Sequence, residues 1–109
     1  MTTLEGRVAL VTGSSRGIGA AIASQFAVRA AAVAVHGRDA EAVAGRVAAI
    51  RDSGGTAAGV TGDVTSFADV EAIRHQVEDT LGPVDILVAD AAAWITGLIV
   101  DVTGGAVLA

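Results

Sequence analysis

Apolar residues along positions 8–89 form short continuous runs that are separated by longer amphipathic stretches. The runs are Val8–Thr12, Val33–His36, Ala57–Val60 and Asp85–Ala89, and each is bounded by glycine or polar residues. Because successive strand residues point to opposite faces, a continuous apolar run makes both faces apolar. This is typical of strands buried on both sides of a parallel sheet. The pattern therefore predicts four buried strands.

The stretches between these runs have apolar residues at helical spacing, which predicts three amphipathic helices. The first begins near Gly17, the second has Asp39 as its N-cap, and the third is capped by Thr65 or Ser66. The expected inward-facing residues, helix by helix, are Ile18, Ile22 and Phe26, then Val43, Val47 and Ile50, then Val70, Ile73, Val77 and Leu81. Strands that alternate with helices predict an α/β fold, a Rossmann-like doubly wound parallel sheet.

The pattern changes after Ala89, where Leu98–Val102 is the predicted fifth strand and no helix precedes it. Parallel neighbours need a crossover of about a dozen residues or more, and 90–97 is shorter than that. We therefore expect the tail to pair antiparallel as a hairpin, to exchange with another chain, or to stay unpaired. The sheet would be incomplete, and its uncovered apolar face predicts a homo-oligomer or a strand-exchanged dimer.

Composition excludes several classes of function. The 109 residues have a net charge of −5 and no basic run, which argues against nucleic-acid binding. With no cysteine there is neither a disulfide framework nor a thiolate metal site, and His36 and His75 have no partner that the sequence can assign. The N-terminal residues do not resemble a signal peptide, and charges interrupt every apolar stretch. We expect a cytoplasmic protein that binds neither metal nor membrane.

Glycines at positions 13, 17 and 19 stand between the first strand and the first helix. In this context the first glycine allows a tight turn, and the later ones let the backbone approach a pyrophosphate and let the helix pack on the sheet. The helix N-terminus adds free N–H groups and the positive end of its dipole. The predicted dinucleotide contacts in this loop are Gly13, Ser15, Arg16, Gly17, Ile18 and Gly19.

The residues after the second strand bear on the choice of dinucleotide. An NAD site usually has an acid there for the ribose 2′-OH, whereas a 2′-phosphate favours arginine. Gly37 occupies the expected position of the acid, and Arg38 follows it. With Arg16 nearby, two guanidinium groups predict NADP as the cofactor. NAD stays the alternative, should Asp39 bind the ribose instead of capping its helix.

Asp63 and Val64 follow the third strand at the edge where open α/β sheets bind their ligands. The carboxylate of Asp63 could accept a hydrogen bond from the adenine amino group while Val64 lines the ring. The alternative is that Asp63 only caps the helix that follows.

Residues 12–19, 36–39, 62–65 and 85–88 together resemble the short-chain dehydrogenase/reductase family. On this resemblance, residues 1–92 correspond to the dinucleotide-binding domain and residues 93–109 to the family's last strand. The region that normally lies between them is missing, which leaves a truncated or internally deleted member, or two joined parts of a longer enzyme. The resemblance adds Ala91 as a cofactor contact, although Ala92 replaces the glycine that usually follows.

The missing region carries the family's catalytic serine, tyrosine and lysine, and this chain has no tyrosine and no lysine. No catalytic residue can be transferred. The resemblance thus predicts the NADP(H)-binding portion of an oxidoreductase that moves hydride between nicotinamide and a carbonyl or alcohol, inactive in this chain. The alternative is a non-catalytic dinucleotide-binding or oligomerising module.

A further departure from the family lies after the first helix, where Ala30 replaces a usual glycine. If this position has positive φ, alanine costs about 1 kcal/mol there.

Overall fold

The computed structural model describes residues 3–89 and 106–108. Within these residues the sheet has the order β3-β2-β1-β4-β5, and each pair of neighbours is parallel. The Rossmann-like doubly wound sheet is confirmed. The elements in chain order are β1 (Val8–Val11), α1 (Gly17–Val28), β2 (Ala32–Gly37), α2 (Ala40–Asp52), β3 (Thr56–Thr61), α3 (Phe67–Thr80), β4 (Ile86–Ala89) and β5 (Ala106–Leu108).

The sheet separates two apolar layers, which is why its central strands are continuous apolar runs. All four residues of β1 are buried, with Ala9 and Val11 on one face and Leu10 on the other. Helices α1 and α2 cover the first face, through residues such as Ala23 and Val43. Helix α3 covers the second face, where its inward residues are Val70, Ile73 and Val77.

Side chains cap the N-termini of α2 and α3 as predicted. Oδ1 of Asp39 accepts hydrogen bonds from the backbone N–H groups of Glu41 and Ala42, at 3.0 and 3.4 Å. Of the two candidates for α3, Ser66 is the N-cap, and its Oγ accepts from the Asp69 N–H at 3.3 Å. Both caps satisfy N–H groups that a helix start leaves without a backbone partner.

The C-terminus of α1 has the geometry of a Schellman motif with alanine at the left-handed position. The Ala31 N–H donates to the Phe26 carbonyl and the Ala30 N–H to the Ala27 carbonyl, while Ala30 has φ of 73°. Helix α2 ends in the same way, except that Gly54 stands at the corresponding position with φ of 93°. The condition for an energetic cost at Ala30, a positive φ, is therefore met.

Replacing Ala30 with glycine is expected to raise the free energy of unfolding by about 1 kcal/mol, because glycine adopts positive φ without a steric penalty. Thermal and urea denaturation measure the change. The matched control is Gly54→Ala, which places a methyl group in open space at the same position of α2 and should cost a similar amount. If Ala30→Gly and Gly54→Ala changed the free energy of unfolding in the same direction, the assignment of strain to Ala30 would be contradicted.

Strand β5 corrects the expectation for the tail. The predicted strand at 98–102 lies outside the described residues, and the strand that pairs with β4 is Ala106–Leu108. It runs parallel to β4, so the predicted antiparallel or unpaired tail is wrong, whereas exchange of this strand with another chain stays a prediction. The physical reason is the length of the connection: residues 90–105 exceed the dozen or so that a parallel crossover needs.

Candidate functional site

A cavity of about 740 Å³ lies where the loops after β1, β2 and β3 meet, at the carboxyl edge of the sheet. This is the edge at which open α/β sheets bind ligands. Gly17 is absent from its lining, and Ala91 lies outside the described residues. The predicted contacts that line the cavity are Gly13, Ser15, Arg16, Ile18, Gly19, Arg38, Asp63 and Val64.

The loop between β1 and α1 needs its three glycines for two different reasons. Gly13 and Gly17 have φ of 62° and 66°, a conformation that L side chains rarely adopt. Gly19 instead has no room for a side chain, because a Cβ there would clash with the carbonyl oxygen of Gly13. No side chain caps α1 at Arg16, so within the described residues the first N–H groups of α1 keep no side-chain partner.

Two arginines from neighbouring loops border the cavity, and each pairs with a carboxylate. Arg16 Nη2 lies 3.5 Å from Asp39 Oδ2, and Arg38 Nη2 lies 3.0 Å from Asp63 Oδ2. The arginine side chains are 72% and 76% exposed. Exposed pairs of this kind contribute about 1 kcal/mol or less, so both guanidinium groups can exchange their carboxylate for another anion at little cost.

Asp63 organises the turn between β3 and α3. Its Oδ1 accepts from the Thr65 N–H at 2.9 Å and from the Thr65 hydroxyl at 2.6 Å, and its own N–H donates to Asp69 Oδ2. The hydrogen bonds from Thr65, with the charge of Arg38 as a lesser cause, hold the pKa of Asp63 below its ordinary value of 3.8. Asp63 is therefore ionised at neutral pH, with one oxygen committed to the turn and the other to Arg38.

His36 is the residue for which the sequence assigned no partner, and it lies buried at the end of β2 with 3% exposure. The Gly13 N–H donates to His36 Nδ1 at 3.0 Å, and Nε2 lies 2.9 Å from the Gly62 carbonyl oxygen. A carbonyl only accepts, so Nε2 carries the proton and Nδ1 presents its lone pair. Burial lowers the pKa of His36 from 6.5, aided by the charge of Arg38 and opposed by the Gly62 bond.

Ser14 is the second buried polar residue, and the glycine motif did not predict its hydrogen bonds to His36. Its Oγ donates to the Val11 carbonyl at 2.7 Å and accepts from the His36 N–H at 3.0 Å. Its own N–H donates to the His36 carbonyl at 2.7 Å. The sequence could have indicated Ser14 and His36 only as polar residues near the carboxyl ends of apolar strands. This position does not identify their hydrogen-bond partners.

Residues 3–89 and 106–108 contain neither a metal-binding cluster nor a membrane-spanning helix. No group of three or more histidine, aspartate or glutamate residues there could hold a metal ion. In the same residues, no helix combines the length and apolar character needed to cross a membrane.

Comparison with known proteins identifies relatives over nearly all of the chain. Residues 7–105 match the family model described as short chain dehydrogenase. The ketoacyl reductase HetN of Nostoc sp. strain PCC 7120 is 36% identical over 97 residues, which are 89% of this chain and 34% of that protein. The chain thus spans about a third of the length of this relative.

Two solved structures show how similar the backbones are. A 7α-hydroxysteroid dehydrogenase complexed with NADH and 7-oxo glycochenodeoxycholic acid has a TM-score of 0.78 and 38% identity, covering 81% of this chain and 34% of its own. A gluconate 5-dehydrogenase from Burkholderia cenocepacia J2315, in complex with NADP and tartrate, has a TM-score of 0.73 and 40% identity, covering 79% and 34%.

Proposed function

The chain belongs to the short-chain dehydrogenase family, and from that premise we propose that it binds NADP(H) in the cavity at the carboxyl edge of its sheet. The observation that carries the proposal is the pair of exposed arginines, Arg16 and Arg38. They border one cavity beside residues 13–19, which we call the glycine loop. In the complete enzyme, the bound nicotinamide would exchange hydride with a carbonyl or alcohol. This chain would supply the dinucleotide-binding part of that activity.

The geometry of the loop fits a dinucleotide. A volume of about 740 Å³ falls within the ordinary range of small-molecule sites, roughly 300 to 1,000 Å³. The uncapped start of α1 offers N–H donors to the pyrophosphate, and the absence of a side chain at Gly19 keeps the loop close to the helix. Ile18, which is 81% exposed, and Val64 supply apolar surface in the cavity lining.

The choice of NADP over NAD rests on Gly37 and Asp39. A Cβ at Gly37 would lie 2.8 Å from Ser15 Oγ and 3.0 Å from Val43 Cγ2, so an acid has no room there unless these side chains move. Asp39, the alternative ligand for the ribose, already uses one oxygen to cap α2, and its other oxygen lies 3.5 Å from Arg16. The 2′-phosphate of NADP can replace both carboxylates on their arginines, whereas NAD has no such group.

Replacing Arg38 with alanine is expected to weaken NADP⁺ binding about 10- to 100-fold, because charge-assisted hydrogen bonds contribute about 1.5–3 kcal/mol each. NAD⁺ binding should stay nearly unchanged. Calorimetric titration of both nucleotides measures the effect, and Arg29→Ala, which removes an exposed arginine remote from the cavity lining, is the matched control. Equal losses for both nucleotides, or native preference for NAD⁺, would contradict the arginine site and favour Asp39 as the ribose ligand.

The lack of tyrosine and lysine supports a second part of the proposal, that this chain does not itself catalyse hydride transfer. The competing function is a non-catalytic dinucleotide-binding or oligomerising module. Joining the chain to the catalytic segment of a family member distinguishes these two functions. Restored carbonyl reduction would support the enzyme fragment. No reduction, with NADP⁺ still bound, would support the non-catalytic module.

We also propose that the protein is a cytoplasmic homo-oligomer. Light scattering tests the oligomeric state, and cell fractionation tests the location.

A further inference from the structure

His36 connects three segments of the candidate dinucleotide site. Its ring accepts from the Gly13 N–H in the glycine loop and donates to the Gly62 carbonyl in the loop after β3. Its backbone exchanges two further hydrogen bonds with Ser14. We propose that His36 is a positioning residue that holds the glycine loop in its dinucleotide-binding shape, and that only its neutral form, protonated on Nε2, does so. This inference rests on the proposed function.

The constraint acts where the loop leaves β1. Gly13 has positive φ, so its backbone alone does not favour one conformation, and the bond to Nδ1 selects the observed one. Ser14 is held on both sides, by its N–H to the His36 carbonyl and by its Oγ to the His36 N–H. Ser14 Oγ also donates to the Val11 carbonyl of β1, but the hydrogen bonds that tie residues 13 and 14 to the neighbouring strand all involve His36.

A proton on Nδ1 would disrupt this arrangement. The Gly13 N–H would then face a second donor, and it would lose the one acceptor that it has among the described residues. The imidazolium would also be buried, at 3% exposure, and no carboxylate among the described residues bonds to the ring. The protonated ring would have to leave its position, and the loop would move with it.

The charges around the ring give an imidazolium little support. The loops after β1 and β2 contribute Arg16, Arg38 and Asp39 to the cavity lining, and the loop after β3 contributes Asp63. Each of these carboxylates already pairs with an arginine, and Asp69 of α3 accepts from the Asp63 N–H. In the described part of the chain, β1 and β4 line the cavity without a charged residue.

The direction of the pH dependence follows from these contacts. Burial, aided by the charge of Arg38, lowers the pKa of His36 below 6.5, so at neutral pH the ring is neutral and the loop is held. As the pH falls through this lowered pKa, the ring takes up a proton that the dinucleotide-bound state excludes. Affinity for the dinucleotide should therefore fall, by up to about tenfold for each pH unit below the pKa.

The experiment measures the affinity for NADP⁺, which is stable in acid, by calorimetry between about pH 5 and about pH 8. The key variant is His36→Asn, whose amide oxygen can occupy the position of Nδ1 and accept from Gly13 but does not titrate. His36→Gln places its amide nearer to Nε2 and so should keep the Gly62 bond alone. The control His75→Asn replaces an exposed histidine of α3.

We expect His36→Asn to bind NADP⁺ within about threefold of the native chain at pH 8, and His36→Gln to bind about tenfold more weakly, since the Gly13 bond is lost. At pH values below the lowered pKa of His36, the affinity of the native chain should fall more steeply than that of His36→Asn. The 2′-phosphate itself titrates near pH 6, but all variants share that contribution. Identical pH profiles for the native chain and His36→Asn would overturn the proposal.

A second measurement needs no substitution at His36 and replaces only the exposed His75. Long-range ¹H–¹⁵N spectra of the unliganded chain with His75→Gln report the ring nitrogens of His36 alone. Protonated Nε2 with unprotonated Nδ1 at neutral pH, with a Gly13 amide signal that shifts on acidification, supports the proposal, and the opposite tautomer overturns it. If the native chain does not bind NADP⁺ at any pH, the proposed function itself is overturned. If it binds NADP⁺ with the same pH profile as His36→Asn, only the role of His36 is overturned.

Discussion

Gly19→Ala is expected to weaken NADP⁺ binding about 100-fold or more. The added Cβ would clash with the Gly13 carbonyl oxygen and lie 2.9 Å from the Gly13 carbonyl carbon, both of them backbone atoms. The loop must therefore move away from α1, and the N–H groups proposed to bind the pyrophosphate move with it. Losing two charge-assisted bonds of about 1.5–3 kcal/mol each accounts for the expected loss. Calorimetric titration with NADP⁺ measures it.

Gly45→Ala is the matched control for this variant. Gly45 lies in the middle of α2, and a Cβ there would have nothing within 4 Å. Alanine at this position should raise the free energy of unfolding by up to about 1 kcal/mol through helix propensity, and NADP⁺ affinity should not change. If Gly19→Ala bound NADP⁺ nearly as well as Gly45→Ala does, the glycine loop would not be the pyrophosphate site.

Leu87→Ala is expected to lower the free energy of unfolding by about 3 to 5 kcal/mol. Leu87 is 1% exposed and is among the largest fully buried side chains of the described residues. It lies on β4 opposite Leu10 of β1, within the apolar layer that also contains Ile73 and Val77 of α3. Removing it leaves a cavity between sheet and helix, and in a domain whose whole stability is about 5–15 kcal/mol this is a large share.

Urea denaturation followed by circular dichroism measures this loss. Val28→Ala is the control, because Val28 is 76% exposed and its truncation should change stability by about 0.5 kcal/mol or less. A midpoint for Leu87→Ala equal to that of Val28→Ala would mean that Leu87 does not fill the apolar layer that contains Ile73 and Val77.

Most of the fold could be predicted because hydrophobic periodicity and helix caps are local features of the sequence. The strands at Val33–His36 and Ala57–Val60 needed only one or two residues added at their ends. The last strand could not be placed in this way, because Leu98–Val102 and Ala106–Leu108 are both short apolar segments near glycines. Ala106–Leu108 is the segment seen paired with β4, and such pairing depends on the length of the connection rather than on composition.

The lining of the cavity could be predicted where residue type and position along the chain together indicate it. Two of the glycines between β1 and α1, Arg16 beside them and Arg38 after β2 are of this kind. The roles of His36 and Ser14 were not predictable, because their partners are mainly backbone atoms of residues distant in sequence, such as Gly13 and Gly62. Side-chain patterns do not encode where a carbonyl or an N–H lies. The ion pair of Arg38 and Asp63 could not be predicted either, because the two residues are 25 positions apart in the sequence.

The strand order β3-β2-β1-β4-β5 also determines how the chain must assemble. β1 is the first strand to be synthesised, yet it is interior to the sheet, and its bond from the Val8 N–H to Asp85 spans 77 positions. Until β4 is available, a nascent chain has one side of its most apolar strand unpaired and open to other extended segments. Such non-local pairing slows folding, because the intervening chain must be ordered before the contact forms. Premature termination between β3 and β4 would therefore yield an aggregation-prone polypeptide rather than a smaller stable domain.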